Sequence, residues 1–196
     1  MKRFFDIVFS LMGIFILIPV YIIIAIMISF DSKGGIIYRQ TRTGKNGKPF
    51  GVMKFRTMHP GSFAKGAITI GDRDPRVTNV GFYLRKYKLD ELPQLFNVLI
   101  GDMSFVGPRP EVEKYTNLYN ENQKEVLSVR PGITDYASIK YRNESEILAQ
   151  SSDPEKTYIE VIMPEKLNIN LAYIKDNNIF KDVKIIFETF IAIMSK

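Results

Sequence analysis

The chain has 196 residues, no cysteine and a single histidine, His59. Thiol catalysis, disulfides, Cys-based zinc sites and His-rich metal sites are excluded. With 27 basic and 21 acidic residues the net charge is +6, which favours anionic partners such as phosphates, nucleic acid or anionic lipid.

Lys2-Arg3 precede an apolar run from Ile7 to Phe30, 24 residues without a charge, interrupted mainly by Ser10, Gly13, Pro19 and Ser29. About 20 such residues cross a bilayer, so the run is long enough to do so. It is too long for a signal-peptide core and no small-residue cleavage site follows, which marks it as a retained membrane segment. Pro19 sits at its centre, where a proline kinks or breaks a helix. Each half is then about 18 Å long, too short to cross alone. Both flanks are basic: Lys2 and Arg3 before the run, Lys33, Arg39, Arg42, Lys45 and Lys48 after it. The positive-inside rule puts both ends in the cytoplasm, which predicts a re-entrant helix–break–helix. The competing reading is a straight span that tolerates its proline.

Beyond Phe30 the composition becomes globular. Ile36–Thr41 and Phe50–Met58 read as two strands around an Asn46-Gly47 turn, a strong hairpin signal. Alternation puts Lys54 and Arg56 on one face of the second strand and Phe55 on the other. His59-Pro60 leaves that strand and reads as structural. Gly61–Asp74 reads as a loop, ending in the turn chemistry of Asp72-Arg73-Asp74-Pro75-Arg76. Val80–Tyr87 is a short helix carrying Arg85 and Lys86.

Lys88–Pro110 is the densest stretch. Asp90 and Glu91 stand directly before Leu92, Leu95, Phe96 and Leu99, a helically spaced apolar set that Gly101 ends. Leu92 precedes Pro93 and is biased away from helical angles, so Pro93 is the alternative start. An acidic pair therefore lies at or near a helix N-terminus, which favours carboxylates and phosphates alike. An aspartate there is an N-cap, a nucleophile or a metal ligand, and caps are the commonest use of the position.

Glu111–Ser128 reads as a mostly polar helix, Tyr136–Tyr141 as a strand, Pro164–Asp176 as a helix and Ile179–Met194 as an amphipathic helix. That last pattern suits either a core or a membrane interface. Arg109 and Arg130 are both pinned beside prolines, and fixed guanidiniums suit bidentate phosphate recognition. Lys54, Arg56, Arg85 and Arg142 are candidates to converge on the same place. A nucleotide diphosphate with a divalent cation needs this mixture, carboxylates for the metal and arginines for phosphate charge. The residues thus point to phosphate chemistry at a membrane surface.

Five motifs carry a resemblance: KRFFD at 2–6, KFRTM at 54–58, LDELPQLFNVLIGDMSFVGPRP at 89–110, RPGIT at 130–134 and RNE at 142–144. Through them the chain resembles the bacterial sugar transferases, the small monotopic phosphoglycosyl transferases. The resemblance implies an α+β fold. A re-entrant membrane helix (residues 1–31, broken at Pro19) precedes a catalytic domain (residues 32–196) with a β-hairpin and amphipathic interface helices. It implies transfer of a sugar-1-phosphate from a UDP-sugar to polyprenol (undecaprenyl) phosphate with release of UMP. This is the initiating membrane step of glycan or glycoprotein biosynthesis. By position, Asp90 would form an aspartyl-phosphosugar intermediate and Glu91 would complete the dyad, both bearing on Mg²⁺. Arg109 would contact nucleotide or phosphate, with Arg85 and Arg142 as further phosphate contacts. The implied location is the bacterial inner membrane, catalytic domain on the cytoplasmic face, with membrane lipids as partners. A homo-oligomer is compatible with the sequence, and nucleic acid has no supporting motif.

There are departures from the family pattern. Asp135-Tyr136 stand where members often carry Gly-Trp, Tyr141 where glycine is frequent, and Ile18-Pro19 where many have Ser-Pro. Two other readings remain open: a membrane-bound nucleotide-sugar phosphohydrolase, and a non-enzymatic anchored protein that binds lipid headgroups.

Overall fold

Residues 1–62 and 74–195 are described by the computed structural model. The expected loop 61–74 therefore lies mostly outside the described residues, Asp72 and Arg73 included.

The chain begins with a 30-residue helix, α1 (Lys2–Asp31), continuous through Pro19. The expected interruption there appears as a proline inside one helix, which membrane helices accommodate. Among the described residues this is the one helix long and apolar enough to cross a membrane. Most of its apolar side chains face outward, including Phe4, Leu11, Phe15, Ile16, Ile23 and Phe30. Ile24 and Ile28 turn inward and bury against Phe55 and Leu84.

Both ends of α1 are fixed to the same globular body. At its start, Lys2 Nζ donates to Asp182 Oδ2 at 2.5 Å and to Tyr173 Oη at 2.9 Å. Arg3 donates to Val98 O and Leu99 O, and Asp6 Oδ1 accepts from Ser104 Oγ at 3.0 Å and from Phe105 N at 3.1 Å. At its end, Asp31 Oδ2 accepts from Val80 N at 3.1 Å.

Two strands follow, β1 (Ile37–Thr43) and β2 (Pro49–Phe55), paired antiparallel with Gln40 opposite Val52. Asn46 (φ 56°) and Gly47 (φ 74°) turn the chain between them in the left-handed region, where Asn and Gly are least strained. Phe55 is buried in the α1 cluster, so β2 carries one apolar contact inward as its alternation requires.

Next come α2 (Asn79–Lys86), capped by Thr78 Oγ1 accepting from Gly81 N, and α3 (Gln94–Ile100). Between them Leu89–Glu91 form a single 3₁₀ turn, entered through Lys88 at φ 56°. The helix thus starts after Pro93, and the acids occupy the tight turn before it. Gly101 ends α3 at φ 101°, the left-handed terminus that glycine adopts most readily.

A second pair of strands, β3 (Ser104–Val106) and β4 (Gly132–Thr134), is parallel, with Ser104 opposite Gly132. Gly107 and Gly132 pass so close that a Cβ on Gly132 would lie 2.1 Å from Gly107 N. Only glycine permits this approach, and it fixes the loop carrying Arg109.

The expected helix 111–128 is divided into α4 (Glu113–Thr116), α5 (Glu121–Lys124) and a 3₁₀ turn (Glu125–Ser128). Asn120 restarts the helix through a capping box with Gln123. The expected strand 136–141 is α6 (Tyr136–Lys140), because the Asp135 side chain caps it by accepting from Ser138 N. Then follow α7 (Glu144–Ala149), α8 (Pro154–Thr157), a π-helical turn (Tyr158–Ile162), α9 (Met163–Lys175) and α10 (Ile179–Met194). The largest core cluster joins Tyr115, Tyr119, Leu148, Tyr158, Ile162 and Leu167. Along α10, Asp182 and Ile185 are buried while Phe180, Phe187, Phe190 and Met194 are exposed.

Candidate active site

Three elements bring charges together. The 3₁₀ turn supplies Asp90 and Glu91, β2 supplies Lys54, and the loop after β3 supplies Arg109. Glu91 Oε1 accepts from Lys54 Nζ at 3.0 Å. Arg109 meets both Glu91 oxygens, Nη1 to Oε2 at 3.2 Å and Nη2 to Oε1. This fork-on-carboxylate geometry is the strongest form of the pair. Burial alone would raise the Glu91 carboxyl, but Arg109 and Lys54 outweigh it and hold the group well below the usual carboxylate range. The same burial pulls the Lys54 ammonium down, with Glu91 opposing.

Asp90 differs from its neighbour. It is 6% exposed, and among the described residues its carboxylate accepts no hydrogen bond and joins no ion pair. Burial pushes its carboxyl up; Lys54, Lys88 and Arg85 pull it down, while Glu91 pushes it further up, and the net direction is upward. A buried carboxylate in a cationic field, with no hydrogen-bond partner among the described residues, has lone pairs available for a reacting atom or a metal.

Arg109 is itself held. Its main-chain N–H donates to Asp135 Oδ2 at 2.8 Å. Asp135 is almost fully buried; it also caps α6 and accepts from Asn170 Nδ2 at 3.3 Å. Asn170 Oδ1 is left as a buried acceptor without a partner.

A family model described as bacterial sugar transferase matches residues 1–196. The chain belongs to the bacterial sugar transferase family. It is 37% identical over 193 residues to the UDP-glucose:undecaprenyl-phosphate glucose-1-phosphate transferase of Escherichia coli (strain K12), a match covering 96% of this chain and 39% of that protein. It is 44% identical over 133 residues to the putative undecaprenyl-phosphate N-acetylgalactosaminyl 1-phosphate transferase of Bacillus subtilis (strain 168), covering 68% and 70%. To the exopolysaccharide production protein ExoY of Sinorhizobium fredii (strain NBRC 101917 / NGR234) it is 33% identical over 208 residues, covering 98% and 84%. The chain thus spans about two fifths of the length of some curated relatives, 39% for the Escherichia coli protein.

Of the basic residues expected from the sequence, this family member brings Lys54 and Arg109 into contact with the dyad. Arg85 lies within electrostatic reach of Asp90 and donates from Nε to Thr57 Oγ1 at 3.0 Å. Arg56, Arg130 and Arg142 do not join them. Arg56 is buried and donates to Ser32 O at 2.8 Å and to Lys33 O, closing the end of α1. Arg130 Nε donates to Gly101 O at 2.8 Å, at the end of α3. Arg142 Nη1 donates to Ala192 O at 3.2 Å and Ser195 Oγ at 2.9 Å, at the end of α10. Arg56 ties down the turn that follows α1, whereas one physical reason covers Arg130 and Arg142. The last carbonyls of a helix lack intrahelical partners and carry the negative end of its dipole, so a guanidinium settles there.

Sequence reasoning missed Lys88, Asp135 and Asn170. Lys88 had a visible signal, a basic residue directly before the acids. Asp135 had one as well, a carboxylate where members often carry glycine. Asn170 had none.

The donor set suits one Mg²⁺. Among the described residues no group of three or more His, Cys, Asp or Glu side chains gathers. Magnesium needs only one or two carboxylates when substrate phosphates and waters complete its shell. Asp90 has free oxygens for it, whereas both Glu91 oxygens are already held by cations.

Proposed function

We propose that this chain transfers a sugar-1-phosphate from a UDP-sugar to undecaprenyl phosphate through a covalent intermediate on Asp90. The observation that carries this reading is the unpartnered, buried Asp90 carboxylate beside a fixed Lys54–Glu91–Arg109 cluster. Asp90 Oδ attacks the β-phosphorus, a P–O bond forms, and the bond from that phosphorus to the bridging oxygen breaks. UMP leaves with the bridging oxygen and its electron pair. An oxygen of the lipid phosphate then attacks the same phosphorus and returns Asp90 as a carboxylate, leaving a polyprenol diphosphate sugar. The mixed anhydride is itself a good phosphoryl donor, so one difficult transfer becomes two easier ones. One small site then serves two bulky substrates in turn.

Phosphoryl transfer asks for positioning and charge stabilisation more than for acid–base work. Glu91 supplies positioning: its two oxygens hold Arg109 and Lys54 where phosphate oxygens would come. Asp90, with waters and the donor diphosphate, would hold Mg²⁺, which supplies charge neutralisation when bound.

The names of the relatives support the same substrates, since they pair a sugar phosphate with undecaprenyl phosphate. We read α1 as entering and leaving the bilayer on one face. A straight crossing by a helix about 45 Å long would carry its two ends to opposite sides, yet Lys2, Arg3 and Asp6 at one end and Asp31 at the other all bond one domain. The exposed apolar side of α10 suits the interface on that face. The basic residues on both flanks of the apolar run, Lys2 and Arg3 before it and Lys33, Arg39 and Arg42 after it, favour the cytoplasmic face for both ends.

The test is UMP release by the lipid-solubilised chain from a panel of UDP-sugars with Mg²⁺ and undecaprenyl phosphate. Lipid-dependent UMP with one or two donors, and a phosphosugar mass adduct lost in Asp90→Asn, is the expected result. UMP without any dependence on the lipid, with free sugar phosphate as co-product, identifies a phosphohydrolase and overturns the proposal.

A further inference from the structure

A second cation-rich cavity lies at the start of α1, lined by Lys2, Arg3, Asp6, Lys45, Arg130 and Tyr173 together with residues of β3 and its following loop. None of Lys54, Asp90, Glu91 and Arg109 lines it. The charges here are differently balanced. Lys2 is neutralised by the buried Asp182. Arg3 donates to Val98 O and Leu99 O, and Arg130 to Gly101 O, which are carbonyls without formal charge. Among the described residues no carboxylate pairs with Arg3, Arg130 or Lys45. The one acid in the lining, Asp6, is occupied by Ser104 Oγ and Phe105 N. Three uncompensated cations therefore share the cavity with one engaged carboxylate, an arrangement that selects an anion.

The surroundings indicate where the anion comes from. Phe4, the residue after Arg3, and Ile100, the residue before Gly101, are both exposed, and the outward side of α1 continues apolar from there. The cavity thus opens where the polar body meets the apolar helix, the level at which lipid headgroups lie. Basic pockets beside membrane segments take phosphate headgroups in this way, and guanidiniums grip phosphate oxygens bidentately.

We propose that this cavity binds the phosphate headgroup of an anionic membrane lipid, held by Arg3, Lys45 and Arg130. Inorganic phosphate shares the oxyanion chemistry but has no chains to cover Phe4 and Ile100. The site goes beyond the transfer reaction and does not depend on it.

Native mass spectrometry of the full chain in neutral detergent tests the site. Phosphatidylglycerol, phosphatidylcholine and inorganic phosphate would be titrated separately and in competition. The expected result is one retained phosphatidylglycerol, no retained phosphatidylcholine, and binding weakened at least tenfold by Lys45→Glu. Arg130→Gln would be run beside it; both side chains are exposed, so the comparison does not hinge on a folding defect. Equal retention of the two lipids, or phosphatidylglycerol binding unchanged in both variants, overturns the site. Displacement of the lipid by inorganic phosphate at equal concentration overturns the lipid as its ligand.

Discussion

Two parts of the molecule are rich in cations and use them in opposite ways. At the dyad, Lys54 and Arg109 converge on the buried Glu91, so their charge is largely cancelled and their geometry fixed. At the start of α1, Arg3 and Arg130 converge on helix-end carbonyls, so their geometry is fixed and their charge is kept. A cation bound to a carboxylate is a positioned but weakened attractor, whereas one bound to a carbonyl remains a full one. The first arrangement suits a site that must bind and release phosphate groups repeatedly; the second suits a lasting grip.

The comparison breaks most severely at Asp90. On the proposed mechanism Asp90→Asn removes the nucleophile, and adduct formation should fall on the order of a thousandfold or more, read by intact-protein mass. Its carboxyl is raised by burial. Ionising a raised acid costs stability as pH climbs past its unfolded value, so the same variant should melt higher than the parent at neutral pH. A lower melting temperature would contradict the unpartnered carboxylate.

Glu91→Gln comes next. The Glu91 carboxyl is depressed, so its contribution is present above its unfolded value and is lost as pH falls through the folded one. Removing one partner of a buried pair costs several kcal/mol; Arg109 is about a third exposed, which reduces the expected loss to about 1–3 kcal/mol. Thermal unfolding at neutral pH measures it, and the gap between variant and parent should close in acid.

Lys54→Met sharpens the comparison at the level of pH. Lys54 lowers the Asp90 carboxyl, so without it the acid limb of the adduct-formation profile should move to higher pH. A limb that stays put or moves down would separate Lys54 from Asp90. The smallest effect is expected for Asp135→Asn, which weakens the hydrogen bond to the Arg109 main chain. A loss of about 1 kcal/mol, or roughly fivefold in transfer rate, follows from weakening one charge-assisted bond.

Much of this was legible beforehand. The membrane helix, the paired strands, the terminal amphipathic helix and the acidic dyad rest on period, turn and charge signals that act within a few residues. The misread elements share a cause: α6 and the divided 111–128 segment depend on side-chain caps at Asp135 and Asn120, and caps outweigh a short apolar pattern. The arginines were harder. Arg109 and Arg130 look alike in sequence, each beside a proline. Whether a guanidinium reaches a carboxylate or the last carbonyls of a helix depends on where distant helices end.

The link between Lys2 and Asp182 has a consequence for synthesis. The two residues are 180 apart in sequence. At about 5–20 residues per second, Asp182 is polymerised roughly 9–36 s after Lys2. For most of that interval the apolar helix is complete and its clasp does not yet exist. On the proposed membrane reading, the helix settles into lipid on its own account and the domain then closes back over it, so the order of birth along the chain is also the order of assembly at the bilayer.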